Sequence, residues 1–431
     1  MLKLLSFFLI SLPIHVFAVL SFNIRGESAL LMNAHTGQIL FEKNAHCQIY
    51  PASTTKLATA LFLSQKYNHL LNEIVTIHKD ALLSISPQTK KQSLYRSPPY
   101  WLETDSSLIG VKTKEEIPFI DLLYGMIVAS GNDASNSLAY FTTGSIPEFM
   151  KELNNFLSSL GCKQTHFNNP HGLHHPEHVT TAYDLALMAK EALQDPLLKK
   201  IFLTTKYKTS CTNLETERIF TQTNKLLQKN SPYYYPKAIG IKTGFTKDAG
   251  KNLVAAAEFD DRKLIAVATG YKGNGNQIYE DIIQMFEQAF SEKKLRQYFL
   301  PQASSLAIKI PKAKKRLSVT LKEGIFFDFY PSEKTDSLKL DFQWEIPPLP
   351  IKQKTYIGKV FLINSKKIIL KEISLFADVD LEKKTIYKIW DKMQSIFSKK
   401  RTLFLLISCL LLFFIRKSFK SFTKPKKSFY H

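Results

Sequence analysis

The spacing of apolar residues changes character along the chain, and each change marks an element. Ser28 to Ala34 and Gln38 to Asn44 carry apolar and polar positions in rough alternation on either side of His35-Thr36-Gly37, which predicts a β-hairpin. From Ser53 the period lengthens to that of a helix, and the same helical spacing returns over 118–129, 133–141, 147–161 and 180–194. In the last of these, Thr181 and Asp184 stand three apart as a capping box. Strand patterns resume over 238–245, 252–259 and 263–271, the latter two joined at Asp260-Asp261, and a helix follows over 278–290. Strands at both ends with helices between predict an α+β domain over 19–300, its sheet closed by segments distant in sequence. From 305 to 378 the runs become short and alternating, separated by charged or Pro-rich turns, which predicts a small β-sandwich. The stretch 84–101, with Pro87, Pro98 and Pro99, reads as an inserted surface loop.

The two termini break this globular pattern. Residues 1–18 combine Lys3, an apolar run from Leu4 to Ile14 and a small-residue cleavage site at Val16-Phe17-Ala18, the pattern of a secretory signal peptide. Over 381–398, Leu381, Ile386, Ile389, Trp390, Met393 and Phe397 recur at helical spacing opposite a lysine face, as in a helix lying in a membrane surface. Thr402 to Ile415 carries no charge, which reads as a hydrophobic tail anchor to the membrane, and is followed by a basic tail, 416–431. Fourteen residues rising about 1.5 Å each reach roughly 21 Å, short of the ~30 Å hydrocarbon core, so flanking Lys and Arg would have to snorkel. The cations beyond it favour a cytoplasmic C-terminus and leave the body of the chain outside.

Composition narrows the class. The 431 residues are 45% hydrophobic and 22% charged, as expected of a folded protein rather than a disordered one. The net charge of +21 would suit nucleic acid, but much of the excess lies beside the apolar tail, so anionic lipid is the expected partner and nucleic acid is not. Cys47, Cys162, Cys211 and Cys409 are scattered and imply no disulfide framework.

Candidate chemistry lies in three short motifs. Ser53-Thr54-Thr55-Lys56 opens a helix, so the serine hydroxyl and the lysine amine fall on one face, as a nucleophile and its base would. The spacing alone is weak, because it also occurs at Ser291/Lys294 and Ser421/Lys424. Ser130-Gly131-Asn132 then follows an apolar helix, and Lys242-Thr243-Gly244 sits on a strand. Three such elements in this order resemble the low-molecular-weight penicillin-binding proteins, the D-alanyl-D-alanine carboxypeptidase family of the serine penicillin-recognising superfamily. The resemblance extends through PASTTK, SGNDAS, NNPHGL, GIKTGFTKDAG and NLVA.

The resemblance implies a β-lactamase/transpeptidase-like domain, an antiparallel sheet with helical layers. It implies peptidoglycan stem peptides as substrates and β-lactam antibiotics as covalent inhibitors. Ser53 would be the nucleophile, Lys56 its base with an amine made less basic by burial and by Lys242, and Ser130 the relay to the leaving amine. Asn132 would hold the substrate amide, and Lys242 and Thr243 would face the terminal carboxylate. Gly244 would let substrate lie against the strand, and the backbone N–H groups of Ser53 and Phe245 would hold the oxyanion. No cofactor is implied. An arginine that relatives carry after NLVA has two candidates here, Arg262 and Lys263, and its role stays open. His171, His174, His175 and His178 could suggest zinc, but Pro176 breaks any helical face, and the resemblance makes His171-Gly172-Leu173 a structural loop beside the cleft. A D,D-endopeptidase would use the same three motifs. A β-lactamase of class A needs a glutamate context that the chain lacks, and a non-catalytic muropeptide-binding protein would be expected to have lost part of the set.

Overall fold

The computed structural model describes residues 20–273, 275–333, 338–365 and 367–422. The signal-peptide reading of 1–18 and the last nine residues of the basic tail lie outside the described residues. The chain divides into two compact units, the first reaching Lys294 and taking back the segment from Tyr330, the second built from Leu295–Phe329 and everything from residue 335 onward.

The first unit opens with the predicted hairpin, β1 (Ser28–Asn33) and β2 (Ile39–Lys43). A 3₁₀ turn at Ala52–Thr54 leads into α1 (Thr55–Lys66). Short strands β3 (Ile74–Thr76), β4 (Ser84–Ile85), β5 (Leu102–Glu103) and β6 (Glu116–Pro118) frame a small helix, α2 (Pro87–Gln92). The helices α3 (Phe119–Val128), α4 (Asn132–Thr143), α5 (Ile146–Ser159), α6 (Ala182–Ala192) and α7 (Pro196–Leu203) follow, then the pair β7 (Lys206–Lys208) and β8 (Ile219–Thr221). The long strands β9 (Ala238–Thr246), β10 (Gly250–Phe259) and β11 (Arg262–Tyr271) precede α8 (Gln277–Phe290).

The main sheet has the order β2-β1-β11-β10-β9, so the N-terminal hairpin is completed by strands from the far end of the unit. Its central strands are apolar at almost every position because both faces are covered. Leu30, Met32, Val254, Ala256, Ile265 and Val267 pack with the helical layer that contains α1, α3 and α6. Leu31, Leu253, Ala255, Ala257, Leu264 and Ala266 pack with α8. The edge strand β9 carries Lys242-Thr243-Gly244.

Two local expectations change. Thr181 caps α6 by accepting from Asp184 N at 3.0 Å, but the reciprocal half of the box is not made; Asp184 instead accepts from Gln164 N and Thr165 Oγ1. The stretch 84–101 is not simply a surface loop. Ser86 caps α2 with Pro87 at its first position, and Lys90 is buried in an ion pair with Glu103 at 2.8 Å.

The second unit is β-rich. β12 (Leu295–Leu300) pairs with β15 (Ile325–Phe329), β13 (Ser305–Ile308) with β14 (Leu317–Thr320), and β16 (Lys339–Trp344), β17 (Tyr356–Ile363) and β18 (Ile369–Phe376) form a three-stranded sheet. Leu317, Val319, Ile357, Val360, Leu362 and Leu375 form its core. The unit thus starts ten residues before the expected 305, because β12 pairs within it. Leu381 is likewise buried there, bridged to Ile351, so the helix expected from 381 begins only at Thr385. That helix, α9 (Thr385–Phe422), is continuous through the stretch expected as two elements, and no Gly or Pro interrupts it. Among the described residues no helix is long and apolar enough to cross a membrane.

Candidate active site

The cleft is assembled around the turn that starts α1. Ala52 lies in the left-handed region at φ +50, which swings Ser53 to the head of the helix. Two neighbours over-determine this strained backbone. Thr55 Oγ1 donates to Ala52 O at 2.9 Å, and Thr55 Oγ1 is in turn 2.9 Å from His178 Nε2. Asn168 N donates to His178 Nδ1 at 3.0 Å, so Nε2 carries the ring proton and donates to the threonine. Gly172 closes the other side: at φ +93 its backbone lies so near the turn that a Cβ would come within 1.9 Å of Ala52 O.

Ser53 is half-buried and Lys56 is wholly buried. Lys56 Nζ lies 2.9 Å from Ser53 Oγ, 2.6 Å from Asn132 Oδ1 and 2.8 Å from His171 O. The last two can only accept. A neutral amine has two N–H donors and one lone pair, so with both donors used on these acceptors the lone pair is left for the serine hydroxyl. The protonation state agrees, because burial first and the Lys242 charge second hold the Lys56 amine well below its ordinary range, against a smaller opposing pull from Asp133.

Ser130 lies in the turn between α3 and α4, and Asn132 is the first residue of α4. Asn132 N donates to Ser107 O, and buried Asp133 gathers the N–H groups of Ile109, Gly110 and Val111, which ties this turn to the chain before it. Lys242 Nζ, also wholly buried, donates to Ser130 Oγ at 2.9 Å and to Thr243 O at 3.1 Å. Burial pushes Lys242 down to about 7. Since the lysine donates to Ser130, the serine keeps its own proton free to give.

Gly244 brings β9 against the turn that carries Ser53. A Cβ there would meet Pro51 O and Ser53 N, each at 2.9 Å, so only glycine permits this approach of two backbones. Phe245, the next residue, is exposed at 62%. Ser53, Lys56, Ser130, Asn132, Lys242, Thr243 and Gly244 are therefore brought together by α1, the α3–α4 turn and β9.

Other residues named from the sequence lie elsewhere. Arg262 is buried away from the cleft, bonded to Glu292 at 2.9 Å and Glu333 at 3.1 Å with its guanidinium 4.0 Å from the Tyr330 ring centre. Lys263, its side chain largely covered, pairs with the more exposed Glu258. His171 donates to Tyr100 O from Nε2 and accepts from Leu173 N on Nδ1, and burial holds its imidazole well below the ordinary range. No group of three or more metal-ligating side chains occurs among the described residues. The sequence reading missed Thr223, whose hydroxyl is 2.8 Å from that of Thr243, and Asn169, which fixes the 171–173 turn by accepting from Gly172 N. Thr223 belongs to no motif, whereas Asn169 lies inside NNPHGL, of which only His171-Gly172-Leu173 is singled out from the sequence.

Comparison with known proteins places this geometry. The chain is 28% identical to the D-alanyl-D-alanine carboxypeptidase DacF of Bacillus subtilis over 83% of its length and 86% of that protein. It is 29% identical to the D-alanyl-D-alanine carboxypeptidase DacA of Haemophilus influenzae over 90% and 93%. With the D-alanyl-D-alanine carboxypeptidase DacD of Escherichia coli it shares 32% identity, over 57% of this chain and 58% of that one. Among solved structures, penicillin binding protein 5 from Haemophilus influenzae superposes with a TM-score of 0.55 at 23% identity, over 85% of this chain and all of that one, a likeness of fold. Residues 15–273 match the S11 peptidases, and the chain therefore belongs to the D-alanyl-D-alanine carboxypeptidase family.

Proposed function

We propose that this chain removes the terminal D-alanine from peptidoglycan stem pentapeptides through an acyl-enzyme on Ser53, and that penicillins acylate the same serine. One observation carries the reading: the Lys56 amine, buried and made less basic, spends both donors on Asn132 Oδ1 and His171 O and turns its lone pair to Ser53 Oγ, 2.9 Å away. Neutral Lys56 takes the Ser53 proton as Oγ attacks the carbonyl between the two D-alanines. The backbone N–H groups of Ser53 and Phe245 hold the oxyanion. Collapse breaks the C–N bond, and Ser130 relays the proton to the leaving amine, giving up its own and taking the one held by Lys56, while Lys242 steadies the hydroxyl; Lys56 is neutral again to take a proton from the water that attacks the acyl-enzyme. Asn132 holds the substrate amide, Thr243 faces the terminal carboxylate, and water then releases the shortened peptide. No cofactor takes part in these steps.

The same reading places the chain at the outer face of the cytoplasmic membrane, with α9 held to lipid through its apolar stretch 402–415 and the cations around it. The test is incubation with a pentapeptide stem and with a cross-linked dimer, followed by mass spectrometry. Free D-alanine with the dimer intact is expected; loss of the dimer would replace the carboxypeptidase with an endopeptidase. Ser53→Ala is expected to keep its fold and lose both penicillin labelling and D-alanine release. A variant still labelled by penicillin would refute the nucleophile.

A further inference from the structure

The connection between β13 and β14 in the second unit is crowded with cations. Lys309, Lys312, Lys314, Lys315 and Arg316 fall within eight residues, and no carboxylate follows before Glu323. All five are exposed, while Ile310 and Ala313 between them are buried. The backbone of this loop is fixed. Ala313 bridges Lys383, Lys314 N donates to Glu382 O and Lys384 N to Lys312 O, the last two at 2.8 Å. Lys312 is held at φ +68, a region that a lysine enters only where its surroundings impose it.

These contacts set the loop against the start of α9. Together, residues 309–316 and 382–392 carry nine cations and two carboxylates. Both carboxylates are taken: Lys314 and Lys388 share Glu382, each at 3.0 Å, and Lys383 holds Asp391. Lys309, Lys315, Arg316, Lys384 and Lys392 have no carboxylate partner among the described residues, and Lys312 meets the Tyr387 ring, 5.6 Å from its centre. On α9 a stripe of Ile386, Ile389, Trp390, Met393 and Phe397 begins at the same joint and is exposed, Ile386 at 70% and Trp390 at 59%. Cations beside an exposed apolar stripe match a surface of anionic lipid, whose headgroups answer the one and whose acyl chains cover the other. A polyanion such as nucleic acid would answer the cations and leave the stripe in water.

Length decides how the helix must lie for both to be used. Thr385 to Thr402 covers seventeen steps of about 1.5 Å, roughly 25 Å. If α9 stood upright with only 402–415 in the bilayer, the loop would be held that far above the headgroups. Screening reduces its charge to nothing there, since the Debye length is about 8–10 Å at physiological salt.

We propose that the 309–316 loop is a second membrane contact of this protein, docking on anionic phospholipid headgroups together with the 385–397 part of α9, which lies along the surface. The proposal rests on the reading of α9 as the segment held to lipid, and adds the place where the second unit meets that surface. Stable attachment takes two signals, so the loop without the apolar stripe is expected to hold the chain too weakly to sediment with vesicles.

The test uses the full chain with vesicles of phosphatidylcholine alone and of phosphatidylcholine mixed with phosphatidylglycerol. A water-soluble acetylating reagent followed by mass spectrometry reads the exposure of Lys309, Lys315 and Lys384. On the anionic vesicles their acetylation is expected to fall at least fivefold below that on the neutral ones, and to recover as salt is raised from 0.05 to 0.5 M. Each cation near such a surface contributes about fivefold in partition. The triple variant Lys309→Gln, Lys315→Gln, Arg316→Gln should therefore bind anionic vesicles at least thirtyfold more weakly and neutral vesicles within twofold of wild type. Equal acetylation on the two kinds of vesicle, or an undiminished affinity of the triple variant for the anionic ones, overturns the loop contact. Failure of the helix reading looks different: binding to anionic vesicles alone, lost in the triple variant, removes the apolar attachment and keeps the loop. Binding to neither removes both.

Discussion

Lys56 and Lys242 are both buried amines, and burial acts on each through the same desolvation of the ammonium. For Lys242 the consequence for stability has a definite sign. Its folded value of about 7 lies below the ordinary 10.5, so between these limits the unfolded chain binds the extra proton and stability rises with pH. Below about 7 the full penalty applies, on the order of 5 kcal/mol. Lys242→Met is therefore expected to gain stability relative to wild type as pH is lowered from 10 to 7, read by urea unfolding at each pH. For catalysis the neighbour matters. The Lys242 charge helps depress Lys56, so Lys242→Gln should lower the maximal rate of penicillin acylation and move its acid limb to higher pH, because a more basic Lys56 needs higher pH to lose its proton. An unmoved acid limb would mean that Lys56 is not the base. Of these residues the sequence shows the types and the order but not the burial that tunes them. Thr223, a lone threonine in a loop, has no spacing to mark it, and nothing in the sequence places Lys90 inside the protein.

Among the elements, the α1 turn is the most constrained. Ala52 is held in its left-handed conformation by Thr55, His178 and the backbone of Gly172, which comes from a segment more than a hundred residues away. Gly172→Ala puts a Cβ into Ala52 O, a backbone atom with no freedom to yield, and should lower the melting temperature by several degrees and acylation at least a hundredfold. Wild-type acylation in a folded variant would show that the turn tolerates displacement. The sequence reveals elements whose spacing is regular, as in the β1–β2 hairpin and α6. It also contains the start of α7, where Asp195 caps and Pro196 takes the first position, although that helix is too short for its periodicity to stand out. The stretch 84–101 is misjudged because its prolines suggest a loop, whereas Pro87 starts a helix.

For the whole molecule, two features lie outside the cleft. Arg262, fully enclosed, balances Glu292 and Glu333, and Ser332 donates to or accepts from the same groups. Arg262→Met leaves these carboxylates without their cation and is expected to destabilise the protein by about 3–5 kcal/mol, measured by chemical unfolding, with kcat/KM of the remaining folded protein little altered. The tail is separable in a different way. Truncation after Lys384 removes α9 while leaving Leu381 in the core of the second unit, and should abolish sedimentation with anionic vesicles without changing D-alanine release by more than twofold. Vesicle binding by the truncated chain would move lipid attachment elsewhere.

The sheet order has a temporal side. Ser28 lies beside Thr269, and Asn33 beside Leu264, so the first strand of the sheet finds its partner only after some 230 further residues have been made. A polypeptide emerging from its N-terminus holds Leu30 and Leu31 unsheltered throughout that interval, in a hairpin whose β1 edge still awaits its partner. Long-range pairing of this kind is slow and exposes aggregation-prone surface, so the nascent chain depends on being kept apart from its copies until β11 arrives. Because β9 and β10 arrive in the same interval, no shorter N-terminal fragment can bring Lys242 to Ser130 beside Ser53 and Lys56, and the cluster is complete only once nearly two thirds of the chain has emerged.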